Sequence, residues 1–294
     1  SIRTTLNMRT TPKLSIFRSL KLCLIFLLPK LEVSSAFALS PPFLSTKRDS
    51  FVIPMSASPS TEGKMSNKFS IKDMKGVIFD VDGTLADSFQ LGFDATQAVL
   101  KQNGISPITP DEYHEGTRYT TPVRLARHAG LDSETQKEEF ESAGAKLADE
   151  FDGLYVDLVN METAAFFDGI PELVSQIPPN VKVGALTNAC VAYAVAVLGT
   201  NGVSERFSSI HGADDVPRPK PFADGLFVCC KEMGLQPSEC LYVGDSPSDG
   251  EAAHAAGMGA VGVLWGSHPP EKLAAAPFNV VCSSVVELTS VLSQ

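Results

Sequence analysis

The chain has 294 residues, of which 44% are apolar and 20% charged. That is enough for one large α/β domain or two smaller ones with a sizeable core, and it excludes wholesale disorder and the collagen-like and coiled-coil classes. The net charge of −10 hides a split: residues 1–50 carry eight Lys/Arg and two Asp/Glu (+6), residues 51–294 sixteen Lys/Arg and thirty-two Asp/Glu (−16). So acidic a body is a poor match for nucleic-acid phosphates, and no nucleic-acid partner is expected. No apolar run reaches the roughly eighteen residues of a membrane span, so no membrane partner is expected for the mature body.

The first seventy residues read as an address. The chain opens on Ser1, with Met8 as the expected start. Arg9, Lys13, Arg18 and Lys21 precede a short apolar run, Leu22 to Leu28, and Ser34-Ser35-Ala36 is a small-x-small cleavage site. Residues 1–36 therefore have the layout of a secretory signal peptide. Residues 37–70 are rich in Ser, Thr and Pro, a composition that suits a transit peptide or a linker and builds no core. The junction Ser34-Ser35-Ala36-Phe37-Ala38 resembles the bipartite presequences of complex plastids, which implies a plastid location. The alternatives are a secreted protein, or a cytoplasmic one starting at Met55 or Met65. Six cysteines with no C-x-x-C pair read as reduced thiols, several of them in apolar runs.

From residue 71 onward, strand-like and helix-like segments alternate, which predicts a parallel sheet with covering helices. Four apolar strands or loops end in polar groups. Gly76 to Phe79 runs into Asp80-Val81-Asp82-Gly83-Thr84-Leu85, and ligands of open α/β sheets bind at such carboxyl ends. Val181 to Leu186 ends at Thr187-Asn188, a hydroxyl and a backbone N–H ready to donate to an anion, or a plain helix cap. Lys220 stands between Pro219 and Pro221, a compact cation suited to an anionic intermediate or simply a solvated loop lysine. Cys240 to Gly244 ends in Asp245-Ser246-Pro247-Ser248-Asp249, hard oxygen ligands of the kind Mg²⁺ takes, with Asp249 also placed to cap a helix.

Each signature alone has a bland reading. Their order, with each at the end of an apolar strand or in the loop between two of them, resembles the haloacid dehalogenase superfamily over residues 73–294. The resemblance implies a Rossmann-like core (71–88 and 168–294), an inserted helical cap (89–167) and phosphoryl transfer on a small-molecule phosphate ester, with Mg²⁺ as cofactor. Asp80 would be the nucleophile and Asp82 the general acid and base. Thr187, the Asn188 backbone and Lys220 would hold the phosphoryl oxygens. Asp80, the Asp82 carbonyl oxygen, Asp245 and Asp249 would hold the metal, which also offsets the acidity of the site. The expected activity is that of a phosphatase for a small phosphorylated metabolite, phosphoglycolate-like if plastidic. The alternatives are a β-phosphoglucomutase-type mutase and a catalytically idle regulatory domain. The oligomeric state is left open.

Within the cap, helices are expected at Phe89 to Asn103, at Pro122 to Ala129 and in a long segment capped by Ser133, with Gly144 and Gly153 arguing against one continuous helix. The insert resembles the caps of phosphoglycolate phosphatase-like and β-phosphoglucomutase-like relatives. Thr117 and Arg118 are the candidate substrate selectors, Arg118 as a clamp for a carboxylate or second phosphate or else as a solvated side chain. Arg124 and Arg127 are expected to face solvent, Ser88 to cap a helix, and His128, His211 and His254 to be structural. His114 and His268 carry no signal.

Overall fold

The computed structural model describes residues 74–293. The leader readings on residues 1–70 lie outside the described residues. Six strands form one parallel sheet: β1 (Gly76–Phe79), β2 (Lys182–Leu186), β3 (Ser209–His211), β4 (Cys240–Gly244), β5 (Gly259–Val263) and β6 (Val280–Cys282), in the order β3-β2-β1-β4-β5-β6. The order turns back on itself at β1, whose Phe79 pairs with Ala185 of β2 on one side and Val243 of β4 on the other. That reversal leaves a crevice at the carboxyl ends of β1 and β4, the place where open α/β sheets bind ligands.

The central strands read as continuous apolar runs because both faces of the sheet are covered. Side chains alternate between the faces. Val77, Phe79, Val183, Ala185, Leu241 and Val243 pack against helices α5 (Ile170–Gln176), α6 (Val191–Thr200) and α10 (Val285–Leu292). Ile78, Leu186 and Tyr242 pack on the other face against α7 (Asp224–Met233) and α8 (Pro247–Ala256).

Four helices are inserted after β1: α1 (Phe89–Gln102), α2 (Pro110–Gly116), α3 (Thr121–His128) and α4 (Lys137–Asp157). The chain leaves and re-enters the core along paired segments, with Asp87 N donating to Ala165 O at 3.0 Å and Phe167 N to Leu85 O at 2.9 Å. The helices depart from expectation in two ways. The long helix starts at Lys137 after an Asp132 turn, so Ser133 is not its cap. It also runs unbroken through both glycines. Gly144 permits the close crossing of α3 and α4, because a Cβ there would lie 2.6 Å from the Pro122 carbonyl oxygen. Gly153 faces open space.

On the β3 edge, His211 is buried and donates or accepts through both ring nitrogens, 2.9 Å from Asp215 Oδ2 and 2.9 Å from Glu232 Oε2 of α7. Burial pulls its pKa down, but the two carboxylates outweigh that and hold it above the usual imidazole value. His254, by contrast, is exposed in the last turn of α8, where its carbonyl accepts from Gly257 N at 3.1 Å.

Two predictions follow from these contacts. Gly144→Val lowers unfolding free energy by about 1–3 kcal/mol through overpacking, whereas Gly153→Ala raises it by roughly 0.5–1 kcal/mol through helix propensity, both read by chemical denaturation. The imidazolium of His211 is stabilising in the folded state, so its contribution is complete below about pH 6.5 and fades as pH rises through the elevated folded-state value. The stability gap between wild type and His211→Gln is therefore wider at pH 6 than at pH 9.

Candidate active site

The first strand delivers Asp80 to the crevice. Its Oδ1 accepts from Val81 N at 2.8 Å and pairs with Lys220 Nζ at 2.9 Å, while Oδ2 accepts no hydrogen bond among the described residues; the residue lines a cavity of about 540 Å³. Burial raises the Asp80 pKa well above the carboxylate range. Lys220 opposes this, and Asp249, Asp245 and Asp82 add to it.

The fourth strand delivers Asp245, and the first turn of α8 delivers Asp249. Asp245 Oδ2 accepts from Ser267 N at 2.8 Å and Ser267 Oγ at 3.2 Å. Asp249 Oδ2 accepts from Ser246 N at 2.9 Å as half of a capping box, so its capping and site roles coexist. Its Oδ1 accepts from Lys220 Nζ at 2.7 Å and from Tyr242 OH at 3.2 Å. Lys220 is itself buried. Burial alone lowers its pKa, but Asp249 and Asp80 more than reverse that and keep it charged.

Asp80, Asp245 and Asp249 each place a carboxylate oxygen within 4.8 Å of the others, all three residues buried. A hard divalent cation such as Mg²⁺ takes such a donor set, and Asp80 and Asp245 of the trio line the cavity. The Asp82 carboxylate is not in the trio. Its Oδ1 accepts from Ser88 Oγ (2.6 Å), Tyr193 OH (2.7 Å) and Tyr155 OH (2.9 Å), and its Oδ2 from Thr187 Oγ1 (3.1 Å). Ser88 therefore orients Asp82 and makes no side-chain cap of α1, contrary to expectation. Asn188 holds Lys220 through paired bonds of 3.0 Å between its amide and the Lys220 backbone.

The cap closes one side of the same cavity with Tyr113, His114, Thr117 and Arg124. Thr117 lines it, its hydroxyl donating to the His114 carbonyl. Arg118 does not line it. It is exposed and lies over the Tyr119 ring at 5.0 Å, so it is no clamp in this arrangement. Arg124 is the correction in the other direction: expected in solvent, it is 5% exposed and faces the cavity. Arg127 is exposed, as expected. His128 is half-buried, and burial followed by Arg124 lowers its pKa to about 4. The motifs gave no sign of Tyr155, Tyr193, Trp265, Ser267 or His268. A usable signal existed only for Arg124: Thr121, Arg124, Leu125 and His128 share the inward stripe of α3 at i, i+3, i+4 and i+7.

Residues 77–263 match the family model described as haloacid dehalogenase-like hydrolase. This chain belongs to that family. Its subgroup is the phosphoglycolate phosphatase-like one, and it is an enzyme of the phosphatase kind. It is 31% identical over 228 residues to the phosphoglycolate phosphatase of Chromobacterium violaceum, covering 74% of this chain and 96% of that one. It is 29% identical over 223 residues to the N-acetylmuramic acid 6-phosphate phosphatase of Pseudomonas aeruginosa, covering 75% and 96%. Among solved structures, CbbY from Rhodobacter sphaeroides in complex with phosphate shares the fold, with a TM-score of 0.64 at 22% identity, covering 75% of this chain and 100% of that one.

The carboxylate trio predicts cation-dependent stability. At a Mg²⁺ concentration about a hundredfold above its dissociation constant, binding adds about 2.7 kcal/mol, which corresponds to a rise of roughly 5–10 °C in melting temperature. Asp245→Asn abolishes the rise, measured by thermal denaturation with Mg²⁺ and with EDTA.

Proposed function

We propose that this chain is a Mg²⁺-dependent phosphatase that hydrolyses a small phosphorylated metabolite through an aspartyl phosphate on Asp80. The observation that carries the reading is Asp80 itself. One of its oxygens is pinned by Val81 N and Lys220, the other has no donor among the described residues, and the residue lines the cavity. A carboxylate held in that way presents a fixed lone pair to a phosphorus atom.

Asp82 would supply the protons. Three hydroxyls converge on Oδ1, leaving Oδ2 the less saturated oxygen, with Thr187 alone. That oxygen would protonate the leaving group and later take the proton of the attacking water. The Thr187 hydroxyl and the Lys220 ammonium would hold the transferring oxygens, with Asn188 fixing the Lys220 backbone. Asp80, Asp245 and Asp249, with the Asp82 carbonyl oxygen, would hold Mg²⁺, which neutralises phosphate charge and polarises phosphorus when bound. The cap helices exclude bulk water from the cavity they share with the core.

The relatives' names point to small phosphate monoesters, and phosphoglycolate is the first substrate to try. Inorganic phosphate release from phosphoglycolate, sugar phosphates, nucleotides and pyrophosphate, with Mg²⁺ and with EDTA, tests the reading. Turnover is expected only with the metal, falling on the order of a thousandfold or more in Asp80→Asn. An aspartyl phosphate that forms but turns over only with a bisphosphate activator would instead identify a mutase. The absence of any aspartyl phosphate would leave an idle domain.

A further inference from the structure

We propose that Arg124 is the receptor for a carboxylate on the substrate, at the end away from the phosphate. This rests on the phosphatase reading above. Arg124 and Lys220 both line the cavity and both are 5% exposed, yet their surroundings differ. Lys220 contacts two carboxylates. Arg124 makes no ion pair among the described residues. A buried guanidinium without a counter-charge is costly, and its planar fork of five donors matches a carboxylate bidentately.

The guanidinium is fixed before any ligand arrives. It lies over the Phe151 ring at 4.7 Å and the Tyr113 ring at 5.1 Å. Nη1 donates to Thr96 Oγ1 at 2.7 Å, and that hydroxyl in turn donates to the Gly92 carbonyl at 2.7 Å. One N–H is thus committed, and the rest of the fork is free for the cavity. Two packed rings connect it to the reacting end: Phe151, under Arg124, packs against Tyr155 at 4.8 Å between ring centroids, and the Tyr155 hydroxyl donates to Asp82. Arg124 and Asp82 both line the same cavity.

Charge chooses carboxylate over a second phosphate. Lys220 and the trio's cation would already accommodate one dianion. Asp82, Asp87 and Asp111 also line the cavity and disfavour another. One arginine and one monoanion balance.

The test uses the full chain with Mg²⁺ and the Asp80→Asn background, which holds esters without turning them over. Trp265, the one tryptophan of the sequence, lines the cavity and reports binding by its fluorescence. Phosphoglycolate is expected to bind at least tenfold tighter than 2-hydroxyethyl phosphate, which has an alcohol in place of the carboxylate. Adding Arg124→Met should shrink that ratio to within about twofold, and Arg124→Lys, which keeps the charge but loses the fork, should leave it intermediate. Thr96→Val, which frees the anchor and leaves Arg124 in place, should also reduce it. Equal binding of the two esters by Asp80→Asn alone, tighter binding of a bisphosphate than of phosphoglycolate, equal weakening of both esters by Arg124→Met, or no response to either ester would each overturn the proposal. Failure of the wild-type chain to release phosphate from any ester would overturn the phosphatase reading, while the binding ratio would still decide the role of Arg124.

Discussion

Asp80, Asp245 and Asp249 hold carboxylate oxygens within 4.8 Å of one another in a buried site. At an effective dielectric of about 20, unit charges that close repel by roughly 3 kcal/mol per pair. Much of the surrounding structure is arranged to contain this repulsion. Strand order brings Asp80 and Asp245 together, because β1 and β4 are neighbours at the point where the sheet reverses. Glycines make the room: a Cβ at Gly83 or Gly266 would collide with Asp245, and one at Gly244 with Asp249. Lys220 supplies the single ammonium, buried between Asp80 and Asp249, and its backbone is clasped by Asn188. One ammonium does not balance three carboxylates. Burial first, and then the neighbouring carboxylates, raise the pKa of Asp80 against the pull of Lys220, and a divalent cation would offset the excess negative charge.

A second set of contacts ties the cap to the chemistry. Tyr155 of α4 stacks on Tyr193 of α6, ring centroids 4.0 Å apart and planes nearly parallel, and both hydroxyls donate to Asp82 Oδ1. Burial and then the Asp82 charge raise the pKa of both phenols well above the usual value, so both remain donors. One belongs to the cap and the other to the core. The orientation of Asp82 therefore depends on the cap being seated, and displacement of α4 would disturb the carboxylate proposed to handle protons. The chain passes between core and cap through the paired segments at residues 85–87 and 165–167.

The four signatures of the site were legible because each is contiguous and follows an apolar strand or lies in the loop between two, so a few adjacent residues report both the fold and the site. The orienting hydroxyls were not. Tyr155 and Tyr193 lie 73 and 111 residues from Asp82, each within an amphipathic or apolar helix where a tyrosine reads as core. Core is also what their rings are; only the hydroxyl makes them part of the site. Ser88 was misread for a related reason. A serine before a helix is the usual sign of a cap, and tertiary structure gave its hydroxyl a stronger acceptor in Asp82. Gly144 shows the same override in packing, where helix propensity argued for a break and a close helix crossing required the glycine.

The two buried cations divide the cavity between them. Lys220 is saturated by carboxylates of the chain itself, so its charge is part of the machinery whatever ester enters. Arg124 has aromatic faces and a hydroxyl around it but no carboxylate within ion-pair distance among the described residues, so an anion bound in the cavity would be its direct partner. Arg124 and Arg127 are three apart on α3 yet end in different surroundings: Thr96, Tyr113 and Phe151 enclose the first, while the second stays exposed. Gly144, where a Cβ would meet the Pro122 carbonyl oxygen, lets α3 approach α4 closely, so the residues that hold α3 in place also set where Arg124 stands in the cavity.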